Sequence, residues 1–125
     1  MDRFPDPEAI RINLSEGDWI EIKKFLTIGE RHKAFAAATK PAFMGERFEL
    51  NPERAFIANV AAYLLDWSFT RGGVKVPIRG MPFEIVLDTL QNLPADAFAE
   101  VREAIEQHEA ALEQEKKLRA GVSVL

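Results

Sequence analysis

The chain has 125 residues, a length for one domain, and its 47 % hydrophobic and 29 % charged residues are globular proportions that exclude a disordered or fibrous chain. It has no cysteine, which rules out disulfides, thiolate zinc sites and a cysteine nucleophile and agrees with a reducing cytosol. The net charge is −4, with seven acids between Asp96 and Lys117 opposed only by Arg102, Lys116 and Lys117, so nucleic acid, which needs a dense basic surface, is not an expected partner, and no apolar run approaches the roughly 20 residues of a membrane span.

Residues 1–8 hold two prolines and three acids and read as a loose arm without an apolar signal core, ahead of a single domain over 9–119. Residues 9–14 alternate apolar and polar, Ser15-Glu16-Gly17-Asp18 supplies a turn, and Trp19–Lys23 is rich in β-favouring residues, so 9–23 is expected to be a hairpin. Thr27-Ile28-Gly29-Glu30 has capping-box spacing and opens an alanine-rich helix to about Thr39, which Pro41 ends. Residues 40–50 have no period and read as a loop. Asn51-Pro52-Glu53 places a capping side chain, a first-turn proline and an acid at the start of a second helix, whose residues Phe56, Val60, Tyr63, Leu64 and Trp67 recur at helical spacing as its buried face.

Arg71-Gly72-Gly73 breaks that helix, and Val74–Ile78 reads as a short strand, at a sheet edge because of Pro77, that pairs with the N-terminal hairpin. A third helix is expected from Pro82 to Leu90, with Ile85, Val86 and Leu90 inward. Pro94-Ala95-Asp96 opens the last helix, where Phe98, Val101, Ile105, His108 and Leu112 form an apolar seam flanked by Ala97, Ala104 and Ala111. Beyond Leu112 the helix is charged, with Glu113–Lys117 and Glu115–Arg119 spaced to pair, and residues 120–125 form a frayed tail. The fold class is α+β, mostly helical: about four helices with a small antiparallel sheet made of the N-terminal hairpin and a short strand near 74–78.

Reactive groups are scarce. The helical neighbours of His32 are Ile28, Gly29, Phe35 and Ala36, and those of His108 are Ala104, Ile105, Ala111 and Leu112; none can ligate a metal. Ser15, Ser68 and Ser123 lie outside any nucleophile elbow, and the glycines form neither a phosphate loop nor a dinucleotide fingerprint. No catalytic residue, metal site or cofactor is therefore expected, and an enzyme is the least favoured class. The acids of the last helix read as a solvated face.

Three residues read as structural anchors. Asp66 falls near the predicted end of the second helix, where the dipole disfavours an acid, so either loop amides after Ser68 or the Arg71 side chain should compensate it. Trp19 and Trp67, each following an aspartate, read as core or core-edge anchors. Partner binding points instead to Phe43, Met44 and Phe48, which form a sticky patch if the loop 40–50 is exposed and cover the core if it folds back. Val122, Val124 and Leu125 are a second, weaker partner segment.

Three stretches carry a family resemblance: Gly17-Asp18-Trp19-Ile20 with Lys23; Thr27-Ile28-Gly29-Glu30; and Ala62-Tyr63-Leu64-Leu65-Asp66-Trp67-Ser68 followed by Gly72-Gly73 and Val76-Pro77-Ile78. Together with a small β unit ahead of helices and a glutamate-rich last helix, they resemble the tail assembly chaperones of siphophages and prophages, over roughly residues 12–112. The resemblance implies a protein that works in the bacterial host cytoplasm during tail building, binds the tape measure protein, helps recruit tail tube protein and is absent from the mature virion. It supplies no catalytic or mapped binding residues. Many members also have a longer frameshifted form, and Glu115-Lys116-Lys117 is compatible with a slippery run of codons. A structural neck or tail-completion protein of the virion is the competing expectation from size and composition.

Overall fold

The computed structural model describes residue 3, residues 8–40 and residues 49–121. The expected hairpin forms as β1 (Ala9–Asn13) and β2 (Trp19–Lys23), antiparallel, with Ile10 opposite Ile22 and Ile12 opposite Ile20. Alternation places these four isoleucines on one face, where Ile20 and Ile22 are completely buried.

Helix α1 (Ile28–Ala38) starts where its capping box dictates: the Thr27 hydroxyl accepts from the Glu30 amide at 3.2 Å, and the Glu30 carboxylate accepts from the Thr27 amide at 2.9 Å. Glu30 also pairs with Lys23, which ties the helix start to β2. Burial pushes the Glu30 carboxyl up, but the bonds from Lys23 and the Thr27 backbone, with the Lys23 charge, outweigh it and leave it below its ordinary value. The ends of the segment read as a loop are ordered: β3 (Thr39–Lys40) pairs antiparallel with β4 (Glu49–Leu50).

Helix α2 (Pro52–Tyr63) begins as expected, with the Asn51 side chain accepting from the Arg54 amide and Pro52 in the first turn. It ends four residues before Trp67. The chain passes directly into β5 (Leu64–Trp67), which pairs with β2 as the third strand of the sheet, order β1-β2-β5. Leu64 lies opposite Ile22, Asp66 opposite Glu21 and Trp67 opposite Ile20, so Leu65 is an extra residue at a bulge. In a regular strand, residues three apart face opposite ways; the bulge lets Leu64 and Trp67 both face the core while Asp66 takes the other side. Inward residues three apart imitate helical spacing, which explains why the sequence reads as helix through Trp67. Phe56, assigned to the buried face, is 40 % exposed.

The strand expected at 74–78 also differs. Here β6 (Thr70–Arg71) and β7 (Val74–Lys75) form their own two-stranded ladder and do not join the main sheet. Gly72 and Gly73, with φ of +58° and +79°, make the tight turn, a conformation that favours glycine at both positions. Helix α3 (Phe83–Gln91) buries Val86, Leu87 and Leu90; Leu87 is inward and Ile85 is outward, the reverse of the expected face at these two positions.

Helix α4 (Ala95–Arg119) is 25 residues, about 37 Å long. Its seam is as read: Val101 and Ile105 are completely buried, and Phe98 and Ala104 pack against the core. Ala97 is half-buried but Ala111 is exposed. Polar ties fix its position. Glu100 accepts from the Ser15 amide and hydroxyl, and His108 Nε2 donates to the Lys24 carbonyl at 2.6 Å. In its last turns Glu115 pairs with Arg119. The α+β, mostly helical class is therefore the observed one.

Candidate functional site

The sheet gathers the three anchor residues. Trp67 is 1 % exposed; its indole N–H donates to the Val76 carbonyl at 2.8 Å and its ring lies 4.9 Å from that of Phe69. Trp19 sits on the opposite face, half-buried, with the Arg11 guanidinium 3.8 Å and the Lys75 ammonium 5.4 Å from its ring centre. The Ser68 hydroxyl joins the two Asp-Trp pairs: it accepts from the Trp19 amide and donates to Asp18, both at 2.9 Å.

Asp66 is buried, 5 % exposed, and sits in strand β5, three residues beyond the end of α2, not in a helix as expected. Its partners are Lys75 at 3.1 Å, Arg79 Nε at 3.2 Å and the Trp67 amide at 2.9 Å; neither the Arg71 side chain nor a loop amide after Ser68 is among them. Burial pushes its carboxyl up, yet the bonds from Lys75, Trp67 and Arg79 outweigh it and hold the carboxyl below its ordinary value. Arg79 also reaches Glu21 at 2.8 Å, so the 70–80 segment is clamped across the outer face of the sheet. Trp67 thus lies in the core and Asp66 is buried, whereas Trp19, expected at the core or its edge, lies on the outer face of the sheet against Arg11 and Lys75.

Phe43, Met44, Phe48, Val122, Val124 and Leu125 lie outside the described residues. Within the described residues, the exposed apolar groups are elsewhere. Helix α1 has an inverted face: its buried residues are alanines, Ala34 and Ala38, whereas Ile28 is 89 % and Phe35 60 % exposed. Small side chains let α1 approach α2, whose own buried face carries Ala58, Ala61 and Ala62. The sequence signal for Ile28 and Phe35 is their spacing of seven in a helix with no other large apolar residue.

A concavity of about 610 Å³ lies where α4 passes the end of the hairpin, with Phe25, Leu26, Tyr63 and Leu112 as its apolar lining. On its wall the Tyr63 hydroxyl donates to Glu109 at 3.2 Å, and Asn59 donates to the same carboxylate at 3.4 Å. Burial, then the Glu109 charge, push the Tyr63 phenol up to about 12 against the opposing pull of Arg31. Tyr63 is therefore a neutral donor near pH 7, held as a strut and not poised as a base.

Tyr63 is the chain's single tyrosine, which makes its state directly measurable. A phenol raised in the folded protein stabilises the fold below its unfolded value near 10, and that contribution is lost as pH rises toward 12. Tyrosinate absorbance should accordingly titrate near 12, and Glu109→Gln should lower the midpoint without returning it fully to about 10, because burial remains. A native midpoint near 10 would remove the strut.

Among the described residues, no group of three or more His, Asp or Glu is placed to hold a metal ion, no buried side-chain nitrogen or oxygen lacks a hydrogen-bond partner, and no helix is long and apolar enough to cross a membrane. No protein-family model matches the chain, and no curated protein or solved structure matches it either.

Proposed function

We propose that the chain is a tail assembly chaperone of a siphophage or prophage, which binds the tape measure protein in the host cytoplasm and helps recruit tail tube subunits. The observation that carries this reading is the inverted face of α1, which turns Ile28 and Phe35 outward on a helix whose exposed residues also include Arg31 and Lys33. Exposed aromatic and aliphatic side chains rimmed by polar ones suit transient protein contacts. The residues behind the family resemblance add support through the structural jobs they do. Asp18, Trp19 and Ser68 close the sheet, Thr27 and Glu30 start α1, and Asp66 with Trp67 secures the 70–80 segment.

A tape measure protein exposes long apolar helices until the tube encloses them. A small chaperone with modest apolar patches covers such a surface by weak, repeated contacts and releases it when subunits arrive. The test is co-purification with tape measure protein; stoichiometric recovery from purified virions would instead identify a neck or tail-completion protein.

A further inference from the structure

Strand β1 is an open edge of the sheet: in the order β1-β2-β5 it has a neighbour on one side only. The bonds that flank its ladder set the phase of the pairing. The Lys24 amide donates to the Glu8 carbonyl and the Leu14 amide to the Asp18 carbonyl, both at 2.8 Å. Bonded positions alternate along an antiparallel pair, so Ile10 and Ile12 direct their backbone groups to β2. The N–H and C=O of Arg11 and Asn13 point the other way, and among the described residues no hydrogen bond reaches them.

The same strand leaves the apolar face unfinished. Ile20 and Ile22 on β2 are completely buried, whereas Ile10, Ile12 and Leu14 are only half-buried. Sheet edges are ordinarily guarded by a proline, a bulge or a projecting charge. Strand β1 contains no proline, and its pairing with β2 has no bulge. Its one charged side chain, Arg11, is turned back over the sheet, onto the Trp19 ring at 3.8 Å and toward Glu21 at 3.5 Å.

We infer that β1 pairs antiparallel with β1 of a second copy about a twofold axis at Ile12, which joins the two three-stranded sheets into one. The strand's own pattern selects this occupant. Centred on Ile12, the pairing sets Ile12 opposite Ile12 and Ile10 opposite Leu14, so each inward residue meets an apolar one. On the outer face Arg11 falls opposite Asn13 of the second copy, and no like charges stand directly opposite. Centring on Arg11 instead would oppose the two guanidinium groups. Arg11 of each copy and Asn13 of the other then exchange both of their outward backbone bonds. A twofold pair uses both β1 edges at once and closes on itself. The ladder is short, so the interface is small and the dimer weak. This inference goes beyond the chaperone reading and does not depend on it.

Sedimentation velocity of the native chain from about 10 μM to about 1 mM should show a reversible monomer–dimer equilibrium. Amide hydrogen exchange locates the contact: Arg11 and Asn13 should exchange freely at the low concentration and be protected about tenfold or more at the high one, with Ile10 and Ile12 protected throughout. Asn13 is exposed, so its substitution should leave the fold intact. Asn13→Glu sets an acid opposite Arg11 on both sides of the axis and should tighten the dimer about fivefold, and Asn13→Lys should weaken it about fivefold. Overall charge predicts the reverse order, because the chain already carries −4.

A native chain that stays monomeric at about 1 mM overturns the inference. So does a dimer whose Arg11 and Asn13 amides still exchange freely, or a pair of variants that follows overall charge. Protection of those amides at every concentration in a monomer also overturns it, because the edge is then covered within one chain. Protection that appears only when tape measure fragments are added to a monomeric chain would assign the edge to a partner strand, which defeats the second copy and supports the chaperone reading. The exchange data on the native chain decide the question even where a variant folds poorly.

Discussion

Replacing Trp67 by alanine should lower the free energy of unfolding by about 4 kcal/mol, as expected for an aromatic side chain removed from a close-packed core. Trp67 fills the junction of the sheet with the 70–80 segment, touches Phe69 and anchors Val76 through its indole N–H. The alanine variant loses buried apolar area, leaves a cavity and deprives the Val76 carbonyl of its donor at once. Against a typical domain stability of about 5–15 kcal/mol this is a large fraction, and a fall in Tm on the order of 15 °C should accompany it. Trp67→Phe separates the terms: most of the ring burial survives, the hydrogen bond does not, and the loss should be about 1–2 kcal/mol. Urea unfolding followed by circular dichroism measures both. A loss below about 1 kcal/mol for the alanine variant would contradict the placement of Trp67 in the core.

The second large effect belongs to Asp66. Asp66→Asn keeps the shape and the bond from the Trp67 amide but removes the charge that Lys75 and Arg79 engage. Both cations are at least half exposed and regain water, so the variant should lose about 2 kcal/mol, less than breaking a fully buried pair would cost. The pH dependence has a definite sign. A carboxyl held below its ordinary value in the folded state contributes its full stability above its unfolded value near 4 and loses that contribution as pH falls through the lower, folded value. The difference between native and Asp66→Asn proteins should therefore be flat from pH 7 to about 5 and shrink below about 4. A constant difference down to low pH would show that the charge is not what Asp66 supplies. The low-pH decline of the native protein contains a second contribution of the same sign from Glu30.

How legible the fold was depends on how local its causes are. The capping box at Thr27 and Glu30, the Asn51-Pro52 start and the seam of α4 are written in neighbouring residues, and each forms where read. The alternation of residues 9–14, the turn at 15–18 and the β-favouring residues of 19–23 likewise specified the hairpin. The helix-to-strand change at Leu64 has no glycine or proline to announce it. It is imposed by pairing with β2, a partner some 40 residues earlier in the chain, and the bulge at Leu65 disguises strand periodicity as helical. Assigning Asp66 to a helix end followed from the same misreading. The ladder of β6 and β7 is local, but its glycines fix only a turn and not which strand lies beside it. In α3, which packs against α2, Leu87 faces in and Ile85 out, a choice that the spacing within so short a helix leaves open.

The candidate binding surface was less readable still. Large apolar residues in an alanine-rich helix are ordinarily assigned to the core, and only the close approach of α1 to α2 through alanines turns Ile28 and Phe35 outward.

The most direct test is co-expression of this chain with tape measure protein fragments, followed by size-exclusion chromatography of the soluble fraction. A tail assembly chaperone should raise the soluble yield of the fragments and elute with them, and Phe35→Ala should reduce that recovery. Fragments that remain insoluble and never share a peak with the native chain would contradict its function as a chaperone of the tape.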